Sequence, residues 1–245
     1  MMPNERRTAG GPAGIQPPDA TLDRLAARAL ELTAGAAVIG LGSGRAASAF
    51  IRALGAEVRA GRPVRGVPTS EATARLARSL GIGLVGLDEV SPDVTVDGAD
   101  EVDPRLDMIK GYGGAMVRER VVAVASGRQI ILVGPEKLVP VLGSRGRLPV
   151  EVVPFSLALA RRRLEVIAGP AAVRTLDGRP FVTDNGNLIL DCAVGPIADP
   201  AGLEREIHAV PGVLDTGLFL GTAETVLTAD AGGVREMRRK DEHVP

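Results

Sequence analysis

An apolar run at residues 37–41, AVIGL, passes directly into a glycine turn, GLGSG at 40–44, and then into RAASAFIRALG, where apolar residues recur at helical spacing. A strand that turns through glycines into a helix does not return as a hairpin. Its next strand is expected to lie parallel, reached by a crossover. The same alternation continues. A helix is expected at 19–32, with Leu22, Leu25, Ala26, Ala29 and Leu30 on one face and Asp19 or Thr21 as cap, and the helix opened at Arg45 is expected to stop at Gly55. A strand at 65–68, a helix at 71–80 capped by Thr69-Ser70, a short strand within 81–87, a strand at 94–96, a helix at 115–125 and a strongly apolar strand at 129–133 follow. Strands alternating with helices predict an α/β chain whose mostly parallel sheet is covered on both faces.

The texture changes near residue 143. LPVEVVPF at 148–155, a helix at 156–164, short strands at 173–176, 180–182 and 188–190 separated by DG and DNGN turns, and a helix at 203–210 read as a smaller α+β unit over 144–215. Residues 218–219 and 224–227 are expected to rejoin the main sheet, which would then comprise 19–143 and 216–235. The ends, 1–18 and 236–245, read as tails, the second one charged.

Composition narrows the function. One Tyr, four Phe and no Trp make the core aliphatic, and a net charge of -1 gives no general attraction to nucleic acid or an acidic membrane. Cys192 is alone, so no internal disulfide is expected, and His208 and His243 show no metal-binding spacing. No apolar run approaches the roughly 20 residues of a membrane span, and the opening stretch lacks the apolar segment of a secretion signal. The cytoplasm is the expected compartment.

Chemistry concentrates in residues 95–119, TVDGADEVDPRLDMIKGYGGAMVRE. A strand ending in DGAD would deliver Asp97 and Asp100 to the C-terminal edge of a parallel sheet, where ligands bind in such folds. The glycines of KGYGG allow backbone amides close to an anion. Lys110 can stabilise a developing oxyanion or brace the acidic cluster. Glu119 has two readings, a surface partner of Arg118 or Arg120 and a general base raised in proton affinity by burial and neighbouring acids. Asp103 and Asp107 read as solvated loop acids, and Glu101 stays open. Lys137 either adds positive charge at the same edge or starts a surface helix. The turn at 40–44 is a phosphate-site arrangement, with Ser43 as a hydroxyl, or a tight connection. Thr69, Ser70 and Glu71 are caps or ligand contacts. Asp184-Asn185 is a turn, and Arg161–Arg163 is a solvated face or a phosphate or subunit contact.

These residues place the chain beside a known family. GLGSGRAA at 40–47, VDGADE at 96–101, MIKGYGGAMVRE at 108–119, LPVEVVPF at 148–155, VTDNGNLILD at 182–191 and PGVLDTGLFLG at 211–221 resemble, in order, the type A ribose-5-phosphate isomerases. The resemblance implies a Rossmann-like sheet domain with an α+β lid, in a homo-oligomer, either dimer or tetramer. It implies interconversion of ribose 5-phosphate and ribulose 5-phosphate in the pentose phosphate pathway, without metal or organic cofactor. By the same likeness Glu119 is the proton-shuttling base working through an enediolate. Asp97 and Asp100 serve ring opening and hydroxyl binding, and Lys110 stabilises charge. Lys137, the backbone of Gly98, Ala99, Gly111, Tyr112 and Gly113, and the phosphate-side loop of Ser43, Gly44, Arg45 and Ala46 hold substrate. Two stretches depart from the family pattern. Arg45 and Ala46 stand where the turn commonly carries hydroxyls, and Tyr112 stands where it commonly carries glycine. They motivate an alternative, an isomerase of a related sugar phosphate. A non-catalytic sugar-phosphate sensor is a further alternative, for which no DNA-binding motif is visible. A nucleotide-dependent oxidoreductase lacks the acidic residue wanted beyond the glycine turn.

Overall fold

The computed structural model describes residues 19–239. The tail expected at 1–18, residues 240–245 and His243 lie outside the described residues. From its start the chain forms α1 (Asp19–Leu32), β1 (Val38–Leu41), α2 (Arg45–Arg59), β2 (Arg65–Pro68), α3 (Glu71–Ser79), β3 (Gly83–Leu84) and β4 (Val94–Gly98). It continues with β5 (Glu101–Val102), β6 (Met108–Ile109), α4 (Met116–Ala125) and β7 (Gln129–Val133). β8 (Leu148–Val152), α5 (Leu157–Ile167), β9 (Ala171–Val173), β10 (Thr175–Leu176), β11 (Arg179–Pro180), β12 (Leu188–Cys192), α6 (Pro200–His208) and β13 (Val213–Thr216) come next. β14 (Leu218–Phe219), β15 (Thr225–Asp230) and β16 (Gly233–Arg238) close the described chain.

The main sheet has seven strands in the order β16-β15-β7-β4-β1-β2-β3, parallel except for β16. Its central strands are buried along their whole length, β1 as VIGL and β7 as QIILV, which is why they read as continuous apolar runs rather than alternating ones. Phe50, Ile51 and Leu54 of α2, Leu25 and Ala29 of α1, and Ile39, Leu41 and Val96 of the sheet form one aliphatic core. After β1 the chain builds outward to β2 and β3, then crosses back to place β4 on the other side of β1. The crevice between the C-terminal ends of β1 and β4 is therefore a topological switch point, where ligands bind in open α/β sheets.

A second, antiparallel sheet in the order β13-β8-β12-β9 lies wholly within residues 148–216 and carries its own core of Leu148, Val150, Leu164, Leu190 and Ile207. β10 and β11 form a hairpin beside it, turning at Asp177 and Gly178, both at positive φ.

Several expectations are corrected. α2 runs through Gly55 to Arg59. Gly55 is small because the helix crosses Leu80 there: a Cβ would lie 2.7 Å from the Leu80 Cβ. The strand expected at 173–176 splits into two because the backbone changes partners at Arg174, whose N–H donates to the Ile189 carbonyl beside β9 while its carbonyl accepts from the Phe181 N–H beside β11. α6 starts three residues earlier than the apolar period suggests, with Pro200 in its first turn and Asp199 accepting from the Gly202 N–H. Residues 218–219 do not enter the main sheet; β14 pairs with β6 in a small sheet, β14-β6-β5. Residues 233–238 form the antiparallel edge strand β16, where Glu236 pairs with Arg28 at 2.9 Å, so the tail expected from 236 overlaps an ordered strand.

The Gly55 contact sets two effects against each other. Ala improves helix propensity by about 1 kcal/mol, while overpacking a filled contact costs about 1–3 kcal/mol. Gly55→Ala is expected to lower stability, seen as an earlier urea midpoint at unchanged m-value.

Candidate active site

Asp97 lies within β4, one residue before its end, fully buried. One carboxylate oxygen, Oδ1, accepts from the Ser43 N–H at 3.0 Å and from the Gly98 N–H at 2.7 Å. Gly42 makes this approach possible, since a Cβ there would collide with the Asp97 carboxylate. The other oxygen, Oδ2, is 2.9 Å from Lys110 Nζ. Lys110 follows β6, is 2% exposed, donates to the Gly98 carbonyl, and lies 3.7 Å from Glu119 Oε2. The Phe219 ring is 5.5 Å from its ammonium. Glu119 sits in the first turn of α4 and is buried, with Oε2 taking no hydrogen bond. It is not a surface partner of its neighbours. Arg118 pairs with Glu71 at 3.0 Å, and Arg120 pairs with Asp215 at 2.7 Å while stacking on Phe219.

One ammonium thus faces several carboxylates in a dry place. Burial works to lower the Lys110 proton affinity, but Asp97 and Glu119 outweigh it and hold the ammonium above its ordinary value. Asp97, the nearer acid, takes the ion pair. Glu119 is pushed up to about 8, chiefly by burial, with Lys110 opposing and the Asp97 and Asp100 charges adding to the rise. That is the range wanted of a carboxylate that takes and returns a proton near neutral pH.

Asp100, half-buried, accepts from the Tyr112 N–H at 2.9 Å. The carbonyl of the same peptide, on Gly111, accepts from Arg174 at 2.7 Å, and Arg174 is itself held by both Asp191 oxygens. The glycine loop is therefore fixed between an acid and a base. Gly111 and Gly114 are at positive φ, whereas Tyr112 is not. The Tyr112 side chain packs into the smaller unit's core, donates to the Arg147 carbonyl at 3.1 Å and lies under the Arg147 guanidinium at 3.8 Å. Only its backbone borders the acidic pair.

Lys137 follows β7 and donates to the Ala99 carbonyl at 2.5 Å; burial lowers its proton affinity against the pull of Asp100. Ser43 Oγ meets Thr69 Oγ1 and Ser70 Oγ, each at 2.9 Å. Thr73 Oγ1 donates to the Gly42 carbonyl. Thr69, Ser70 and Thr73 thus bring hydroxyls to a loop whose own sequence supplies only Ser43, and Ser70 also caps α3. Gly44 and Arg45 are exposed at the start of α2, with Ala46 half-buried behind them.

The loop acids are not solvated. Asp103 and Asp107 are each 8% exposed; Asp103 accepts from the Arg105 and Asp107 amides, and Asp107 from the Gly221 amide and Arg239. Glu101 is fully buried and accepts from the amides of Gly143 and Arg145, so its role is to tie down a loop. Arg120, Arg174 and Phe219 were not legible as site neighbours, because each arrives from a distant part of the chain.

With this geometry in hand, comparison with known proteins is decisive. Residues 65–233 match the family model of ribose 5-phosphate isomerase A (phosphoriboisomerase A). The chain belongs to this family. The ribose-5-phosphate isomerase A of Roseiflexus castenholzii is 49% identical over 222 residues, spanning 89% of this chain and 95% of the relative. The structure of ribose 5-phosphate isomerase A from Methanocaldococcus jannaschii superposes with a TM-score of 0.86 at 38% identity, over 90% of this chain and 99% of that one. A structure of D-ribose-5-phosphate isomerase in complex with phospho-erythronic acid gives 0.86 at 35% identity, over 90% and 99%. The fold of this isomerase family, a mostly parallel sheet with a smaller lid unit, is the fold described above. Among the described residues, no helix is long and apolar enough to cross a membrane.

The raised Glu119 carboxyl carries a signed consequence. Its proton is held more tightly in the folded protein than in the unfolded chain, where the ordinary value is 4.5. The stability this lends is full below that value and is lost as pH rises through about 8. Glu119→Gln removes the slope, so its urea midpoint should gain on the wild type between about pH 5 and about pH 9. A constant difference would show that Glu119 titrates normally.

Proposed function

We infer that this chain interconverts ribose 5-phosphate and ribulose 5-phosphate, with Glu119 as the base. The observation that carries the assignment of the base is a buried carboxyl with a free oxygen, raised to about 8, set 3.7 Å from a buried ammonium. Family membership supports the substrate, and a related isomerase has been solved with phospho-erythronic acid, a sugar-acid phosphate.

In the forward direction Glu119 takes the proton from C2 of the open aldose. The C2–H electrons form the C1–C2 double bond, and the carbonyl electrons move onto O1. Glu119 then returns a proton to C1, the C2 oxygen becomes the carbonyl, and its hydroxyl proton passes to O1. Lys110, held charged by Asp97, faces the oxygen on which negative charge grows; in a dry site that interaction is worth far more than in water. Asp97 is wholly occupied by Ser43, Gly98 and Lys110, which suits it to holding the ammonium. Asp100, the more accessible member of the pair, is the one suited to ring opening and hydroxyl contact. Lys137, the backbone of Gly98, Ala99, Gly111, Tyr112 and Gly113, and the loop of Ser43, Gly44, Arg45 and Ala46 complete the substrate site. Arg45 at the start of α2 offers a charge-assisted bond to phosphate in place of the missing hydroxyls. The Tyr112 ring packs into the smaller unit's core, so it gives no ground for a different sugar.

The direct test is isomerisation of ribose 5-phosphate in the presence of chelator. Glu119→Gln is expected to lower kcat by about 10²- to 10⁴-fold; near-normal turnover would remove it as the base. In the wild type, kcat/KM is expected to rise with pH along an acid limb far above an ordinary carboxylate, toward about 8. A limb near 4.5 would contradict the raised value.

A further inference from the structure

The turn at residues 183–187 of the smaller unit reaches across to the sheet domain at two places. Asp184 Oδ2 accepts from the Glu71 N–H at 2.8 Å, at the start of α3. Arg118, on α4, gives Nε to Asn185 Oδ1 at 2.9 Å and Nη2 to the Asp184 carbonyl at 3.1 Å. Its third group, Nη1, pairs with Glu71 at 3.0 Å and closes the ring. Glu71 directly follows Ser70, which bonds the Ser43 loop, and Arg118 directly precedes Glu119. The turn therefore bridges the phosphate-side loop and the helix of the base.

Its two ends are built differently. From below, the buried Glu151 carboxylate accepts from Thr183 Oγ1 at 3.0 Å and Asn187 Nδ2 at 2.9 Å, so the turn keeps its shape. Nearby, Phe181 rests on Gly114 of the glycine loop, with no room for a Cβ between them. From above, Arg118 is 33% and Glu71 54% exposed, and Asp184 and Asn185 are exposed. Exposed ion pairs are weak and exchange readily with water. Arg120 and Arg174, by contrast, hold the same two units through less exposed, multiply bonded contacts. A weak clasp beside permanent ties is suited to opening and closing.

We propose that Arg118 is a positioning residue that latches the turn Asp184-Asn185 onto Glu71, closing the mouth of the cleft and keeping water from the enediolate. This rests on the isomerase reading. A closed site lets Glu119 return the proton it took, whereas an open one lets that proton exchange with solvent first.

The experiment is turnover of ribose 5-phosphate in D₂O, reading the fraction of product that carries solvent deuterium at the transferred position. Alongside it runs amide hydrogen exchange at residues 183–187 in the free protein. Arg118→Ala and Asn185→Ala should each raise the deuterium fraction by about three- to tenfold and quicken exchange at the turn. The double variant should be no worse than Arg118→Ala, and Arg118→Lys should fall between. Three outcomes overturn the latch: an unchanged deuterium fraction in both single variants, activity lost only in step with stability, or a wild type that already exchanges on nearly every turnover. If the wild type does not isomerise the sugar at all, the isomerase reading fails, and unchanged amide exchange at the turn would then reject the latch by itself.

Discussion

A lysine with 2% of its surface exposed is costly to keep charged, and its neighbours are arranged around that cost. Taking such an ion out of water costs several kcal/mol, recovered only when an opposite charge and further hydrogen-bond partners stand in place. Asp97 provides the charge and the Gly98 carbonyl an acceptor. For Asp97 to be there, β4 must lie beside β1, and Gly42 must lack a Cβ so that the carboxylate can lie against the glycine turn. For Lys110 to be there, β6 must pair with β14 and the Lys110 amide must reach the Gly217 carbonyl. The small three-stranded sheet that interrupts the α/β pattern exists at the point where that lysine is delivered.

The same arrangement divides labour among the acids. One ammonium cannot neutralise every nearby carboxylate equally, so the closest takes the ion pair and the proton affinity of the next is raised. Burial, the largest influence on Glu119, then determines its proton affinity. The raised proton affinity of Glu119 follows from where α4 begins and which residue of its first turn faces inward. The two units are tied above and below this point by arginines on α4 and β9–β10, so geometry at Glu119 depends on packing far from it.

Much of this was legible in order along the chain. The central strands announced themselves because a strand buried on both faces is apolar throughout, and β2 and β7 have the expected bounds. DGAD and KGYGG stood out as a strand edge rich in acids followed by glycines, and the structure brings Asp97, Lys110 and Glu119 together there. Elements that depend on remote partners were not legible. Gly55 looked like a helix stop, and its small size instead answers Leu80 across a helix contact. Asp103 and Asp107 looked like solvated loop acids and Glu101 stayed open; Asp103 is buried against amides of its own loop, while Asp107 and Glu101 accept from amides 114 and 42 positions away. Tyr112 was ambiguous because its backbone faces the acids while its ring faces the other unit's core, and no local pattern separates the two.

The amino-acid sequence by itself determined the alternation of strands and helices, the glycine turns and the set of charged residues at the sheet edge, because these follow from local periodicity and from glycine's freedom at positive φ. Only the tertiary structure decided which of those charges share one dry space. Burial, the distance from Lys110 and the remaining partners of each oxygen are properties of the packed whole. They make Asp97 the counter-ion nearest Lys110 and Glu119 the carboxyl whose proton affinity burial raises.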